Sequence, residues 1–424
     1  MVGGTRDTAP RMVVARTDGL DSPADRVSSL AVTAFEIRQT DGRARTGVLR
    51  TDHGEVATPA FMPCGTAGAV KGVTPAQLRE CGTQMVLANT YHLMLRPGAA
   101  VVAELGGLGR LMGWDGPILT DSGGYQVFSL AHRRQITAGG VVFQSHIDGS
   151  EVALTAESCM DIQGRLGADI IMQLDECPPG GADRETVAAA VDRSADWARR
   201  SVEAWDARGR KASAGHAQAL FGIQQGGVYP DLRAASAGRI VELDLPGYAI
   251  GGLSVGEGHE AMVAVLEAID GQFPADRPRY LMGVGEPRDM LAAVARGVDL
   301  FDCVLPTRNA RNAQAFTWAG RVRLRNVACA RDAGPIEPGC PCYTCRHFSR
   351  AALRHYFQVG EMLGPILATI HNLTFFARLA GAIRLAIAEG KFAARRREWL
   401  ERMYGRDAEG GSGPRLTDDG DAGG

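Results

Sequence analysis

The chain has 424 residues, 45% of them hydrophobic, with 46 basic against 48 acidic side chains. That length can bury one large core or two moderate ones, and a net charge near zero argues neither for nor against a polyanionic partner. No uninterrupted apolar run reaches the roughly 18 residues of a membrane span, and the N-terminus lacks the basic-then-apolar plan of a secretory signal, so the expectation is a cytoplasmic protein with reduced cysteines and no membrane partner.

Residues 1–30 and 406–424 are rich in Gly, Asp, Ser, Ala and Arg without apolar periodicity, which predicts disordered ends around a folded region, 31–405. At its start, "FEIRQTDGRARTGVLRTDHGEVATP" predicts short antiparallel strands turning at Asp41-Gly42 and His53-Gly54. Eight apolar runs follow, each ending in a polar or glycine cluster: "FMPCGT", "MVLANTY", "PILTDSGG", "DIIMQLDE", "LFGIQQGG", "YAIGGLS", "YLMGVGE" and "LFDCVLPTR". Helix-like stretches such as "RETVAAAVDRSADWARRSVEAW" and "EPRDMLAAVARG" lie between most of them. Strand then helix, eight times, predicts a (β/α)8 TIM barrel of the α/β class; an open doubly wound sheet alternates similarly, but no G-x-G-x-x-G opens a helix after the first strand. The segment Ala131–Ser158, with its Asp148-Gly149 turn, predicts a strand-rich insertion after the third unit.

In such a barrel the reactive residues stand where strands end, which places Asn89, Asp121, Asp175, Gln225, Gly252, Met282 and Asp302 around one mouth. The chain has no H-E-x-x-H, no G-x-x-x-x-G-K-[ST] and no G-x-S-x-G, so metalloprotease, P-loop and hydrolase-elbow chemistry lose support. Carboxylates remain. Two of them suit cleavage at a sugar's anomeric carbon, one attacking the carbon and the other moving a proton, and Asp302 and Asp121 could fill those roles. Asp175 with Gln225 offers acceptors and donors for a purine edge, and Gly123 and Gly124 beside Tyr125 would let a planar ligand approach the backbone. Any one aspartate alone would be a helix cap or turn residue; their joint placement on strand ends favours a site. Arg308, Arg311, Arg321, Arg323 and Arg325 follow without an acid between Pro306 and Asn326, which suits phosphate contacts.

Further on, "GCPCYTCRHF" gathers Cys340, Cys342 and Cys345, whereas the other six cysteines are scattered singly like buried apolar residues. Three close thiols need one more ligand for tetrahedral zinc, and spacing alone leaves Cys329, His347, His355 and His371 open. A helix over "ILATIHNLTFFARLAGAIRLAIAEG" could carry His371 back across the cysteines. A redox or iron–sulfur site is the alternative for such a cluster.

The motifs "NTYHL", "TDSGGYQVFS", "FGIQQGG", "GGLSVGEG", "YLMGVG", "FDCVLPTR" and "CPCYTC" stand in an order that resembles the bacterial tRNA-guanine transglycosylases, over about residues 33 to 400. The resemblance implies an enzyme of queuosine biosynthesis that replaces the wobble guanine of tRNAs with G-U-N anticodons by 7-aminomethyl-7-deazaguanine (preQ1). It makes Asp302 the nucleophile and Asp121 the general acid/base. Asp175, Gln225, the Gly252 N–H and the Leu253 carbonyl become the base readers, with Tyr125 and Met282 sandwiching the base, Asn89 at the ribose and Glu257 bracing the Leu253 peptide. Cys177 matches the bacterial purine pocket, and Val255 stands where eukaryotic relatives have glycine. Arg308 and Arg311 fall to the tRNA anticodon loop. One structural Zn2+ per chain falls to Cys340, Cys342, Cys345 and His371, in a zinc-binding subdomain over about 306–400, and the chain is expected to form a homodimer. A noncatalytic relative would lack one of the two catalytic aspartates, archaeal relatives carry an added C-terminal RNA-binding module, and an amidohydrolase on a similar barrel would need histidines at strand ends.

Overall fold

The computed structural model describes residues 34–130 and 134–405. The ends expected to be disordered, 1–30 and 406–424, lie outside the described residues, as does the start of the insertion, Ala131–Arg133. Three antiparallel strands come first: β1 (Ala34–Asp41), β2 (Ala44–Thr51) and β3 (Gly54–Thr58), joined in the order β1-β2-β3. The turn after Asp41 uses Gly42 at φ +62°, a conformation that favours glycine.

Next come β4 (Ala60–Pro63), β5 (Val86–Ala88) and β6 (Ile118–Thr120). The predicted insertion is a separate antiparallel sheet of β7 (Arg134–Thr137), β8 (Gly140–Gln144) and β9 (Glu151–Leu154). The parallel strands resume with β10 (Ile170–Met172), β11 (Ala219–Gln224), β12 (Gly247–Ile250), β13 (Arg279–Leu281) and β14 (Leu300–Cys303). Their order, β4-β14-β13-β12-β11-β10-β6-β5, is an eight-stranded parallel sheet, and a parallel bridge from Cys64 to Leu87 links its two ends. Helices such as Arg184–Ala207, Pro230–Val241, His259–Ala268 and Pro287–Val294 connect successive strands. The sheet is therefore the barrel that the eight runs predict.

Strand pleat sorts the side chains. Met62, Leu87, Leu119, Ile170, Met172, Phe221, Ile223, Tyr280 and Leu300 fill the inside of the barrel, while their neighbours Ala88, Ile171, Leu220, Leu281 and Phe301 pack outward against helices. Leu49 and Val56 of the N-terminal sheet join the inner cluster, so that sheet stops one end of the barrel. Two aspartates are consumed there. Arg45 donates to Asp299 through Nε at 2.9 Å and Nη2 at 2.5 Å, and His53 Nδ1 lies 2.7 Å from Asp169 Oδ1.

After β14 the chain forms the helix Leu305–Arg311, the hairpin of β15 (Gln314–Thr317) and β16 (Gly320–Arg323), and the helices Tyr343–His347, Arg350–Gln358, Leu363–Ala388 and Phe392–Tyr404. Helix Leu363–Ala388 is long and apolar enough to cross a membrane, yet 72% of its most apolar stretch is buried within the protein. Its Phe376 ring meets Phe61 of β4 at 4.5 Å, and Asn372 caps Phe316 N, Pro306 O and Gln314 O. Its apolarity is thus spent on core packing.

Candidate active site

The parity that turns Leu300 into the barrel turns Asp302 the same way and sends Cys303 outward, where its sulfur sits 3.0 Å from the place a Gly285 side chain would occupy. Asp302 Oδ1 accepts from Tyr280 Oη at 2.6 Å and from Gly283 N at 2.7 Å. Its Oδ2 has only the Cys64 thiol, at 3.5 Å, among the described residues. Burial pushes the Asp302 carboxyl above its ordinary range, while the Tyr280 and Gly283 donors act against that rise.

Asp121, just past β6, accepts from Asn89 Nδ2 at 2.5 Å and from Thr90 N at 2.8 Å. Burial lifts it to about 6; the two donors oppose the rise and the charge of Asp302 adds to it, so the two carboxyls share one electrostatic environment. Asp175 accepts from Ser122 Oγ at 2.9 Å and Gln225 Nε2 at 2.7 Å, and burial raises it too to about 6. Gln225 Oε1 is buried without a partner among the described residues. Gly252 stands beside it at φ +64°, where a Cβ would come 2.5 Å from that oxygen. Glu257 accepts from the Ser254 and Val255 N–H groups, the latter at 2.9 Å, and so fixes the Leu253–Ser254 peptide.

Three buried carboxylates with no cationic partner among the described residues therefore gather at the strand ends, and Asn89, Gln225 and Gly252 stand among them. Cys177 is buried beside this group, its thiol 3.8 Å from Pro178 O. Tyr125 is exposed on the helix Gly124–Leu130, and Met282 packs on the inner barrel cluster from Tyr280's neighbourhood. The reading of Gly123 and Gly124 needs correction. A Cβ at Gly124 would lie 2.5 Å from Asp175 O and one at Gly123 would lie 3.0 Å from Tyr91 N, so the room they leave is filled by the protein's own backbone. Arg321 likewise leaves the arginine run, because it pairs with Glu286. Arg308 and Arg311 are exposed on the helix that follows Asp302, three residues apart on one side. Tyr280, Cys64, Ser122 and Thr90 were not singled out from sequence. Tyr280 carried a signal: it lies two residues before Met282 and so faces the same side of its strand.

A family model described as queuine tRNA-ribosyltransferase matches residues 40–405. The chain belongs to this family. It is 55% identical over 361 residues to the queuine tRNA-ribosyltransferase of Novosphingobium aromaticivorans, covering 85% of this chain and 96% of that protein. It is 53% identical over 369 residues to the one from Sphingopyxis alaskensis, covering 87% and 98%, and 52% identical over 373 residues to one from Thermus thermophilus, covering 88% and 95%. Queuine tRNA-ribosyltransferases are pentosyltransferases, and exchange of a guanine base in tRNA is their general reaction.

A second cluster lies in the segment after the barrel. Cys340, Cys342, Cys345 and His371 bring their ligand atoms within 4.8 Å of one another, and the three sulfurs stand 3.7, 3.7 and 3.3 Å from His371 Nδ1. Zinc–sulfur and zinc–nitrogen bonds of ordinary length put tetrahedral ligands about 3.6 Å apart, so the set fits a metal of that size. His371 Nε2 is 2.8 Å from Phe316 O, which holds the ring proton on that nitrogen and turns Nδ1 toward the sulfurs. The other three candidates lie elsewhere: Cys329 points to Arg323 O at 3.7 Å, the His347 ring lies tilted against Tyr343 at 4.7 Å, and the His355 ring lies tilted against Tyr356 at 6.0 Å.

Proposed function

We propose that this transglycosylase replaces the wobble guanine of tRNAs with G-U-N anticodons by preQ1, through two displacements at C1′ of the ribose. The observation that carries the reading is the unequal hydrogen bonding of the two Asp302 oxygens. Oδ1 is held by Tyr280 and Gly283, whereas Oδ2 has one weak thiol contact and is free to attack. In the first step Oδ2 forms an ester bond to C1′ as the C1′–N9 bond breaks, and the electron pair leaves with guanine, which takes a proton from Asp121. In the second, the incoming base gives a ring N–H proton to Asp121, its nitrogen bonds to C1′, and the Asp302 carboxylate departs. Two inversions retain configuration. One N-glycosidic bond replaces another, so no nucleotide triphosphate is consumed.

A carboxyl lifted to about 6 is suited to giving and taking a proton near neutrality, which supports Asp121 in that role. Asp175, Gln225, Gly252 N–H and Leu253 O read the purine edge, with Tyr125 and Met282 on its faces, Cys177 beneath and Asn89 toward the ribose. The base must be flipped from the anticodon stack to enter, and Arg308 and Arg311 serve the loop's phosphates. Zinc held by Cys340, Cys342, Cys345 and His371 would take all four ligands from the protein, and so would supply a structural clamp for residues 306–400 and leave no open site for substrate. A tRNA substrate supports a cytoplasmic enzyme, and we propose that it works there as a homodimer.

Incorporation of labelled guanine into unmodified tRNA with a G-U-N anticodon tests the reaction, with a tRNA substituted at position 34 as control. Trapping with tRNA and a deazaguanine inhibitor, then denaturation, tests the mechanism: Asp302→Ala should lose the tRNA-linked band and exchange, and Cys303→Ala should keep both. An adduct that persists in Asp302→Ala overturns the assignment.

A further inference from the structure

Arg233, in the helix Pro230–Val241, is 0% exposed and has no carboxylate partner among the described residues. Its guanidinium donates instead to backbone carbonyls: Gly227 O at 2.8 Å, Gln224 O at 3.2 Å, Gly251 O at 2.7 Å and Gly252 O at 3.3 Å. Gln224 is the last residue of β11 and the other three carbonyls lie just past β11 and β12, the strands that lead into Gln225 and Gly252. An unpaired buried cation is costly, and a neutral amide could brace one or two carbonyls without that cost. Burial lowers the Arg233 pKa only to about 10, so the group stays charged at neutral pH.

In a trans peptide the C=O and N–H point in opposite directions. With Gly251 O drawn to Arg233 at 2.7 Å, the Gly252 N–H is driven the other way, away from the guanidinium. The cation also polarises that peptide, which strengthens its N–H as a donor. We propose that Arg233 is a positioning residue for base exchange: through the Gly251–Gly252 peptide it aims a charge-strengthened N–H at the carbonyl of the purine, where negative charge collects as the base leaves C1′. This rests on the reading of Gly252 as a base reader.

The test is competition by free guanine and by 2,6-diaminopurine, in which an amino group replaces the carbonyl, measured on wild type, Arg233→Met and Arg233→Lys. Wild type should favour guanine at least tenfold. Arg233→Met should bring the ratio close to one and lower kcat more than it raises KM for tRNA, and Arg233→Lys, which keeps the charge but not the fork, should fall between. Amide exchange confined to Gly251–Ser254 should quicken in both variants while the barrel strands keep their protection. A guanine preference retained in Arg233→Met overturns the proposal whatever its rate, and if that variant does not fold, a wild-type ratio in Arg233→Lys overturns it equally. Absence of preference in wild type would sink the Gly252 reading itself, and this proposal with it.

Discussion

Tyr280 of β13 donates its phenolic hydrogen to Asp302 of the neighbouring β14 at 2.6 Å, with both side chains inside the barrel. A hydrogen bond to an ionised group is worth about 1.5–3 kcal/mol. Tyr280→Phe should therefore slow base exchange by roughly 10- to 100-fold. Because the Tyr280 hydroxyl holds the Asp302 carboxyl down, its loss raises that pKa further, and the acid limb of the pH–rate profile should move to higher pH. An unmoved limb would show that Asp302 does not set it.

Asp175 costs stability. Its carboxyl rises by burial from the ordinary 3.8 to about 6, so between those values the folded protein holds a proton that the unfolded chain has released. Stability from this group is full below the lower value, falls as pH rises through the window and is lost above the upper one. At 1.36 kcal/mol per pH unit the ceiling is about 3 kcal/mol. Asp175→Asn should raise the denaturation midpoint at neutral pH, show little gain near pH 4, and abolish base binding. Equal gains at both pH values would contradict the burial argument.

One equivalent of zinc per chain is expected by elemental analysis, bound at Cys340, Cys342, Cys345 and His371. His371→Ala should lose metal and unfold at lower temperature, and chelation of the wild type should reproduce both effects. A zinc-replete, equally stable His371→Ala protein would reject this ligand set.

Base choice should favour preQ1 over the bulkier finished base queuine. The Val255 backbone is fixed: its N–H is held by Glu257 at 2.9 Å, and its carbonyl oxygen lies 2.5 Å from where a Gly180 side chain would begin. A tight site that must admit extra bulk typically loses about 1 to 3 kcal/mol. Competition between the two free bases measures the preference, and Val255→Gly should narrow it. Comparable use of queuine by the wild type would refute the steric account.

Arg308→Ala and Arg311→Ala should raise KM for tRNA and leave kcat nearly unchanged. Each should also flatten the salt dependence of tRNA binding, by about 0.7 in the log–log slope per lost contact to a single strand. An unchanged slope would remove that arginine from the phosphate surface.

The order of the eight strands, the antiparallel entry, the strand-rich insertion and the cysteine cluster were all legible in the sequence, because apolar run length and turn residues are local signals. Parity within a strand also separates Asp302 from Cys303 without coordinates. Strand direction also placed Asp175 and Asp302 at one mouth, but sequence could not show what occupies the aspartates at the other end. Asp169 and Asp299 flank the same apolar runs as Asp175 and Asp302, yet Arg45 and His53 reach them from the N-terminal sheet and use them structurally. Nor could it choose His371 from spacing, since only packing of the helix Leu363–Ala388 on the barrel brings that ring to the thiols and Phe316 O to its far nitrogen. Arg233 stayed hidden for the same reason: its partners are backbone carbonyls at the ends of two strands, and backbone groups carry no residue identity for a sequence to display.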